Sequence, residues 1–407
     1  MKSLFFLSIF LFTINLSAQV ISGVNHQLWK GTLSMNDRLE IPFLFDFSKV
    51  GKKYVMTIKN GNESIELKCL QKNDSVTAFF PRIDSYIRFS LEKVEMRGYW
   101  INLNRKKIQK IPFLGTKEAG VRCGWTTNEN PSDVIMPKYK IVFDDDNQKN
   151  TAVLILSNGL NISSPRELQG TILTETGDYR YLAGCSNANS FTMSTFNGIW
   201  ALLVEGQIKG DSIKGNFYSG SSYRTGWRGK ADDNAMLRKA SSLTYVVNDR
   251  AINFSSVRTL KGKFYRSKQN STTKLYQIMG SWCPNCLDEI IFFKELHKDF
   301  AKNGLEIIAF AYENQQEISS ALLKLKKFAK RMEIPYTVCY AGSASKEQAS
   351  ETFPMLNEIS SFPTSILVDR NGKIRYIHTG FSGPATGQVY EDYKKEFRVL
   401  IEKLLKE

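Results

Sequence analysis

The chain has 407 residues and a formal net charge of +15, from 55 Lys and Arg against 40 Asp and Glu. The basic residues are spread along the chain, with local clusters at residues 105–107 and 324–331. Recognition of nucleic acid needs a concentrated basic patch on a matching module, and the sequence has neither, so this class is excluded. We expect the second cluster to be the solvated face of a helix.

The first predicted element is a secretory signal peptide over residues 1–18. Lys2 precedes an apolar run over residues 4–12, and Ser17 and Ala18 supply small residues for cleavage near Ala18. The run is too short for a membrane span of about 20 residues, and no later apolar run is long enough. We therefore expect an exported protein, periplasmic or otherwise extracytoplasmic, without stable membrane insertion.

Residues 19–235 are predicted to form an all-β domain, a barrel or a sandwich, whose function the sequence does not indicate. Proline and glycine separate short apolar runs, and many short strands at regular spacing are typical of these architectures. The runs lie at residues 41–47, 54–58, 76–80, 86–91, 191–196, 200–204 and 215–218.

Two parts of this β-rich region resemble each other weakly. Residues 75–80 and 190–196 each precede a turn and an aromatic strand. Residues 98–100 and 215–218, both a glycine followed by aromatic residues, then occur at comparable distances. The similarity indicates two related halves, although coincidence explains so weak a repeat in a β-rich chain equally well.

The most informative motif is Cys283-Pro284-Asn285-Cys286, which lies where a predicted strand turns into a predicted helix. Two thiols separated by two residues can cycle between dithiol and disulfide. Proline is favoured at the first helical position, so Cys283 is predicted to be the N-cap. Its sulfur would then lie beside unpaired backbone N–H groups at the positive end of the helix, which favours the attacking thiolate.

Two further residues complete the predicted redox site. Cys286, one turn inside the helix, is expected to be more buried than Cys283 and to act as the resolving thiol. Glu289 lies three residues after Cys286 on the same helical face, within side-chain reach. Its carboxyl group could take or return the Cys286 proton during exchange.

A zinc site and an inert structural disulfide are weaker interpretations of the cysteine pair. A structural zinc site needs about four ligands, but there is no second such pair, and His26, His297 and His378 are scattered. A structural disulfide in so small a ring would constrain little chain entropy. We therefore predict no metal and no other cofactor, only the redox-active Cys283–Cys286 disulfide.

Predicted strands and helices alternate through the rest of the C-terminal third. Pro363 enters the head of an apolar strand, where proline is tolerated at a strand start or in a cis peptide. Asn371-Gly372 is typical of a two-residue hairpin. Strands are predicted at residues 305–312, 336–340, 361–369 and 374–379, and amphipathic helices at residues 318–332 and 393–405.

These residues resemble thioredoxin-fold proteins of the TlpA/ResA type, which are bacterial extracytoplasmic thiol–disulfide oxidoreductases. The similarity covers about residues 270–407 and rests on three segments, residues 280–286, 362–364 and 379–387. The β-rich region resembles the β-domain that precedes the thioredoxin module in some TlpA-like proteins.

The resemblance implies a two-domain protein, in which an N-terminal all-β domain is followed by a C-terminal α/β thioredoxin-like fold. We place the second domain at residues 261–407, after a linker over residues 236–260. By resemblance, Cys283 is the attacking cysteine, Cys286 the resolving one, and Glu289 the acidic residue that the family keeps at this position. Pro363 matches the cis-proline that helps to hold a substrate chain. The residues expected to contact the substrate are Trp282, Pro284, Phe362, Pro363 and Thr364.

The chain departs from thioredoxins proper at Gln277, where they keep a buried Asp. Glu289 is then the only plausible local carboxylate, and Glu313 is expected to be an exposed loop residue. The remaining cysteines are either buried apolar residues or paired in an oxidising compartment, and the sequence does not decide between these. They are Cys69, Cys123, Cys185 and Cys339.

The predicted function is reduction of protein disulfides by dithiol–disulfide exchange at Cys283 and Cys286. The expected partners are protein thiols and disulfides and an external electron donor, for which a membrane thiol reductase is one candidate. A thiol peroxidase on the same fold is an alternative, but it needs hydroxyl and Arg partners, and no Arg lies near the motif. A second alternative is a binding protein whose β-domain recognises a partner, with the redox module accessory.

Overall fold

The computed structural model describes residues 27–92, 94–105, 107–117, 122, 135–145, 148–158, 167–187, 189–267, 272–315 and 317–407. The predicted signal peptide over residues 1–18 lies outside these described residues, as does Cys123. Within the described part of the chain, no helix is long and apolar enough to cross a membrane.

The first part of the molecule is an eight-stranded barrel in which each strand pairs with the next and the last pairs with the first. In the second strand Ile41, Phe43 and Phe45 are fully buried while the residues between them are partly exposed. This period of two places one side of every strand in the barrel interior. The strands are β1 (Gln27–Asn36), β2 (Leu39–Val50), β3 (Lys53–Asn60), β4 (Glu63–Lys72), β5 (Ser75–Phe79), β6 (Ser85–Leu91), β7 (Glu95–Asn102) and β8 (Gln109–Thr116).

The second part repeats this architecture. Its strands pair antiparallel with their neighbours, and pairing of the second with the third closes the sheet. One two-residue strand, β12, extends the sheet beyond β11. The strands are β9 (Lys138–Asp145), β10 (Gln148–Asn158), β11 (Glu167–Thr174), β12 (Gly177–Asp178), β13 (Leu182–Asn187), β14 (Ser190–Phe196), β15 (Ala201–Lys209), β16 (Ser212–Ser219) and β17 (Tyr223–Ala231).

The weak sequence repeat falls on corresponding strands of the two barrels, since β5 and β14 are the fifth strand of each ring and β7 and β16 the seventh. The repeated glycines have the same steric role. A Cβ at Gly98 would lie 2.0 Å from the Arg88 carbonyl oxygen, and a Cβ at Gly215 would lie 1.8 Å from that of Glu205. In both barrels, therefore, glycine permits a close approach between the sixth and seventh strands.

The two barrels pack against each other through Phe196, the last residue of β14. Its ring centroid lies 4.7 Å from that of Phe43 and 5.0 Å from that of Trp100, both of the first barrel. The Asn60 side chain donates to Phe196 O at 2.9 Å and accepts from Phe196 N at 3.2 Å. This buried aromatic contact with its paired hydrogen bonds fixes the second barrel on the first.

The C-terminal domain is a six-stranded sheet with strand order β18-β21-β20-β19-β22-β23, in which β19, β20 and β21 are parallel. Helices α1, α2 and α4 cover one face, and α3 covers the other. The prediction of an all-β region followed by a thioredoxin-like α/β domain is confirmed. The elements are β18 (Arg258–Thr259), β19 (Thr273–Met279), α1 (Pro284–Phe300), β20 (Leu305–Glu313), α2 (Ile318–Arg331), β21 (Thr337–Ser343), α3 (Lys346–Thr352), β22 (Thr364–Val368), β23 (Ile374–Thr379) and α4 (Gln388–Lys406).

The segment between the second barrel and β18 follows the surface of the C-terminal domain. Val246 forms a β-bridge with Leu356, and Val247 N donates to Met355 O at 2.8 Å. Further on, Asn253 N donates to Thr352 O at 2.9 Å. Part of the segment that the sequence predicts as a linker is therefore hydrogen-bonded to the C-terminal domain.

Candidate active site

Cys283 and Cys286 lie at the start of α1, where β19 ends. Cys283 is the N-cap, with φ −98° and ψ 115°, and Pro284 is the first helical residue. The Cys283 sulfur accepts a hydrogen bond from Cys286 N at 3.3 Å, so it takes up one of the backbone donors that the helix start leaves unpaired. Cys283 is 5% exposed and Cys286 is fully buried, and both are free thiols. Only Cys283 is reachable from solvent.

Glu289, one turn beyond Cys286 on α1, is fully buried and is held by side chains from two strands. Gln277 Nε2 of β19 donates to one carboxyl oxygen at 2.8 Å, and Ser365 Oγ of β22 donates to the other. Tyr336 OH in turn donates to Gln277 Oε1 at 3.3 Å. Gln277, which replaces the thioredoxin Asp, thus orients the carboxyl group that the sequence predicts as the proton acceptor.

Burial sets the protonation of both groups. It raises the pKa of Glu289 to about 7, although its two hydrogen bonds favour the ionised form. It also raises the pKa of Cys286 well above its ordinary value, and the neighbouring Cys283 and Glu289 act in the same direction. Cys286 therefore stays protonated unless a base removes its proton, and a carboxyl group poised near neutrality is suited to that task.

The loop before β22 forms the other wall of the site within this domain. The Phe362–Pro363 peptide is cis, and the Cys283 sulfur lies 3.5 Å from Phe362 O. The Trp282 ring packs edge-on against Phe362 with centroids 5.6 Å apart. Pro363 and Thr364 are buried, and Thr364 Oγ1 donates to Ser361 O at 2.9 Å. The residues of this loop that line the cavity are Ser361 and Phe362.

Glu313 does not lie in an exposed loop, and that expectation is wrong. It is fully buried and accepts hydrogen bonds from Ser281 N at 2.8 Å and Ser281 Oγ at 2.7 Å, while Lys324 Nζ lies 3.3 Å away. Since Ser281 is two residues before Cys283, its hydrogen bonds with Glu313 position the turn that carries the thiols. Lys324 also departs from the prediction of a solvated basic helix face, because its side chain is only 11% exposed.

Both barrels contribute to the space in front of Cys283, which the sequence does not predict. The thiol opens into a cavity of about 230 Å³ that Trp282 and Phe362 share with Asn104 and Arg105 of the first barrel. Residues 176–179 of the second barrel complete the wall. The fold thus brings an arginine to the thiol, although none lies near the motif in sequence. These residues are 100 to 180 positions upstream, and no local pattern marks them.

Cys69, Cys185 and Cys339 are not among the residues that line this cavity. Cys69 and Cys339 are buried free thiols, and burial raises the pKa of each to about 12. Cys185 is disulfide-bonded. Within the described residues, no group of three or more His, Cys, Asp or Glu side chains is arranged to hold a metal ion.

The comparisons with known proteins concern the C-terminal domain. Residues 246–392 match the family model described as Redoxin. The chain is 29% identical over 101 residues to the thiol-disulfide oxidoreductase ResA of Geobacillus thermodenitrificans, and 27% identical over 122 residues to that of Geobacillus kaustophilus. These matches cover 25% and 30% of this chain, and 51% and 63% of the relatives, so the chain spans less than two thirds of each of these two relatives.

A solved structure of a thioredoxin-family thiol:disulfide interchange protein from Chlorobium tepidum is 21% identical. The match covers 39% of this chain and 99% of that chain, with a TM-score of 0.28. By its sheet, its paired thiols and its cis-proline, the C-terminal domain is a thioredoxin-like redox domain. Within that class, this domain matches the redoxin family model and is similar to ResA, in agreement with the resemblance to the TlpA/ResA type that its residues carry.

Proposed function

We propose that the protein is an exported thiol–disulfide oxidoreductase that reduces protein disulfides through Cys283 and Cys286. The observation that carries the proposal is the position of Cys283 at the start of α1, with its sulfur accepting the Cys286 N–H and the residue lining a cavity in front of the motif. Backbone donors at a helix start stabilise a thiolate, which is the nucleophile in thiol–disulfide exchange.

The proposed reaction has two steps. The Cys283 thiolate attacks a substrate disulfide, forms a mixed disulfide and releases one substrate thiolate. Cys286 then loses its proton toward Glu289 and attacks Cys283 Sγ, which releases the second substrate thiol and leaves the Cys283–Cys286 disulfide. Two electrons pass to the substrate, and the two cysteines hold the oxidised state without a cofactor.

Glu289 is suited to the second step because of its environment. Burial holds its pKa near neutrality, so it can accept a proton from Cys286 and return it when the dithiol is restored. Gln277 and Ser365 donate to its two oxygens and keep it in place. We propose that these two residues position Glu289 without contacting the substrate.

Turnover in an oxidising compartment needs an external electron donor that restores the dithiol. A membrane thiol reductase would meet that need, and a periplasmic or otherwise extracytoplasmic location would follow from cleavage near Ala18. The substrates in this proposal are protein disulfides, with no role for nucleic acid.

The test is the reduction potential of the Cys283–Cys286 couple, measured by equilibration in glutathione or dithiothreitol buffers. A value near the ~−270 mV of thioredoxin, or below it, would support a reductase. A value near the ~−120 mV of a strong oxidant would reverse the direction and make the protein a disulfide donor. Failure of the two cysteines to form a disulfide would remove the redox proposal.

A thiol peroxidase is the one alternative that the site itself favours, because Arg105 lines the cavity beside Cys283. Peroxide consumption by the reduced protein, compared with its reduction of a short linear peptide disulfide, separates the two functions. Faster reaction with peroxide, lost in an Arg105→Gln variant, would identify a peroxidase. Faster reaction with the peptide disulfide would support the reductase.

A further inference from the structure

A hairpin of the second barrel, residues 174–179, lies across the redox site, and we name it the covering hairpin. It contains the turn from β11 to β12. Gly177, at φ +138°, is so close to the cysteine motif that a Cβ there would lie 1.9 Å from Asn285 Nδ2 and 3.0 Å from Phe381 O. The backbone of the hairpin thus contacts a residue between the two cysteines.

The covering hairpin also contacts the two loops that border the site on the side of the cis-proline. Ser361 Oγ donates to Thr176 O at 3.2 Å. Gly383 N donates to Asp178 Oδ1 at 2.7 Å. A Cβ at Gly380 would lie 2.8 Å from the carbonyl carbon of Thr176, so the two backbones are in contact there as well. The hairpin therefore occupies the approach to the cis-proline loop.

Arg180, directly after the covering hairpin, ties three parts of the molecule together. Its guanidinium pairs with Asp288 of α1 and with Glu63 of the first barrel. The side chain is 9% exposed, and Asp288 is 5% exposed. A buried guanidinium with two carboxylate partners is held strongly, because separating them leaves uncompensated charge. These buried ion pairs thus hold the hairpin in place beside α1.

The opening that remains in front of Cys283 is small and polar. Its volume of about 230 Å³ is below the ~300–1,000 Å³ of pockets that enclose drug-sized ligands. Asn285, which is 7% exposed, carries a buried Oδ1 that has no hydrogen-bond partner in the described part of the chain, and Arg105 contributes a cation. Such a cavity suits a small polar molecule, whereas a protein disulfide brings two backbone segments with it.

We propose that the covering hairpin determines the substrate specificity of the redox site. In the arrangement seen here, Cys283 exchanges with low-molecular-weight polar disulfides, and a folded protein disulfide reaches it only after the hairpin is displaced. This inference rests on the proposed function, because it concerns the substrates of that same exchange. It makes the barrels part of the substrate site, placed there by Gly177 and Arg180.

The reaction is balanced without an added reductant when the protein begins as the dithiol. The Cys283 thiolate displaces one thiolate from the small disulfide, and Cys286 displaces the second by forming the Cys283–Cys286 bond. Two thiols are released, and the protein is oxidised by two electrons. A single turnover therefore reports the reaction at Cys283 without recycling by an electron donor.

The experiment measures single-turnover rate constants of the pre-reduced full chain with bis(2-hydroxyethyl) disulfide and with insulin. Arg180→Asn removes the anchor, and asparagine tolerates the positive φ of 58° at this position. Arg180→Lys, which keeps the charge, is its matched control. The informative quantity is the ratio of the insulin rate to the small-disulfide rate, because both reactions begin at the same sulfur and changes in thiol reactivity cancel.

We expect the ratio to rise at least tenfold in Arg180→Asn and to change less than threefold in Arg180→Lys. Gly177→Ala is the second variant, should the first not fold by circular dichroism, and the same tenfold rise is expected. Its control is Gly210→Ala, at a positive φ of 59°, where no atom of the described residues lies within 4 Å of an added Cβ. A ratio in folded Arg180→Asn or folded Gly177→Ala equal to that of the wild type would overturn the inference. Exchange of the wild type with insulin but not with the small disulfide would overturn it as well, whereas absence of exchange with both disulfides would overturn the proposed function.

Discussion

The two walls of the redox cavity are built in different ways. One wall, which we call the reactive wall, carries the groups that take part in exchange. These are Cys283, Cys286 and Glu289, and they lie in a single stretch of chain where β19 ends and α1 begins. The other wall, which we call the covering wall, is formed by residues of the two barrels that lie far upstream in sequence. Gly177 allows the close approach of the covering hairpin, and Arg180 anchors it to α1. Reactivity is thus encoded locally, whereas access to the thiol is encoded by the packing of separate domains.

The walls differ in their electrostatics as well. The reactive wall buries Glu289, which has no cationic partner among the described residues, and this burial raises its pKa to about 7. The covering wall buries Asp288 and Glu63 against Arg180, and a third carboxyl group, Asp178, accepts backbone hydrogen bonds from Gly383 and from Arg180. Variants of each wall should therefore have separate consequences, for chemistry on one side and for domain packing on the other.

The largest effect is expected at the nucleophile. Cys283→Ser should abolish disulfide exchange, a loss of more than about a thousandfold, because an alcohol does not replace the thiolate in this reaction. The measurement is single-turnover reduction of a linear peptide disulfide. Cys339→Ser, at a buried free cysteine of the same domain, is the control and should retain activity. Residual exchange in Cys283→Ser would place the reactive thiol elsewhere.

On the covering wall, Arg180→Asn should destabilise the packing of the barrels on the redox domain by about 3–5 kcal/mol, because it leaves Asp288 and Glu63 buried without a counter-charge. Denaturant unfolding followed by tryptophan fluorescence measures the effect. Arg228→Asn removes a solvent-exposed pair with Asp144 and should cost about 0–1 kcal/mol. Equal losses in the two variants would show that the Arg180 cluster is not an anchor.

Stability should depend on pH through Glu289. Its ordinary pKa is 4.5 and burial raises it to about 7, so the folded protein binds this proton more tightly than the unfolded chain. The stabilisation is complete below about pH 4.5 and is lost as the pH rises to about 7, by about 3 kcal/mol. Glu289→Gln should flatten this part of the profile, measured by denaturant unfolding between pH 4 and 8. An unchanged slope would contradict the assigned burial effect.

The smallest of these effects concerns the second step of exchange. Glu289→Gln should slow resolution of the mixed disulfide by about a hundredfold, because Cys286 loses its proton acceptor. The increase in the rate of resolution near pH 7 should disappear as well. Attack by Cys283 should be little affected, so the mixed disulfide accumulates and is detected by mass spectrometry. Asp299→Asn, at an exposed carboxyl group of the same helix, is the control. Fast resolution in Glu289→Gln would leave Glu289 without a catalytic role.

Much of the redox domain could be predicted because its signals are short-range. Pro284 fixes the first turn of α1, which makes Cys283 the N-cap, and Gly304 ends the segment after it at φ 103°. The expectation for Glu313 is wrong because its environment is long-range. Nothing in its neighbours in sequence reveals that Ser281 and Lys324 surround it, so an acidic residue at a strand end is expected in solvent.

The paired thiols, their order of burial, the acidic residue beside them and the succession of an all-β region and a thioredoxin-like domain can all be read from the sequence. Each follows from spacing along one element, or from residue types whose backbone preferences act over a few positions. That the β-region is two closed barrels, and that one of their hairpins covers Cys283, emerges only from the folded molecule. The first barrel closes by pairing of β1 with β8, 80 to 86 positions apart, and the hairpin is anchored by Arg180 to Asp288, 108 positions away. Such contacts follow from the complementarity of folded surfaces.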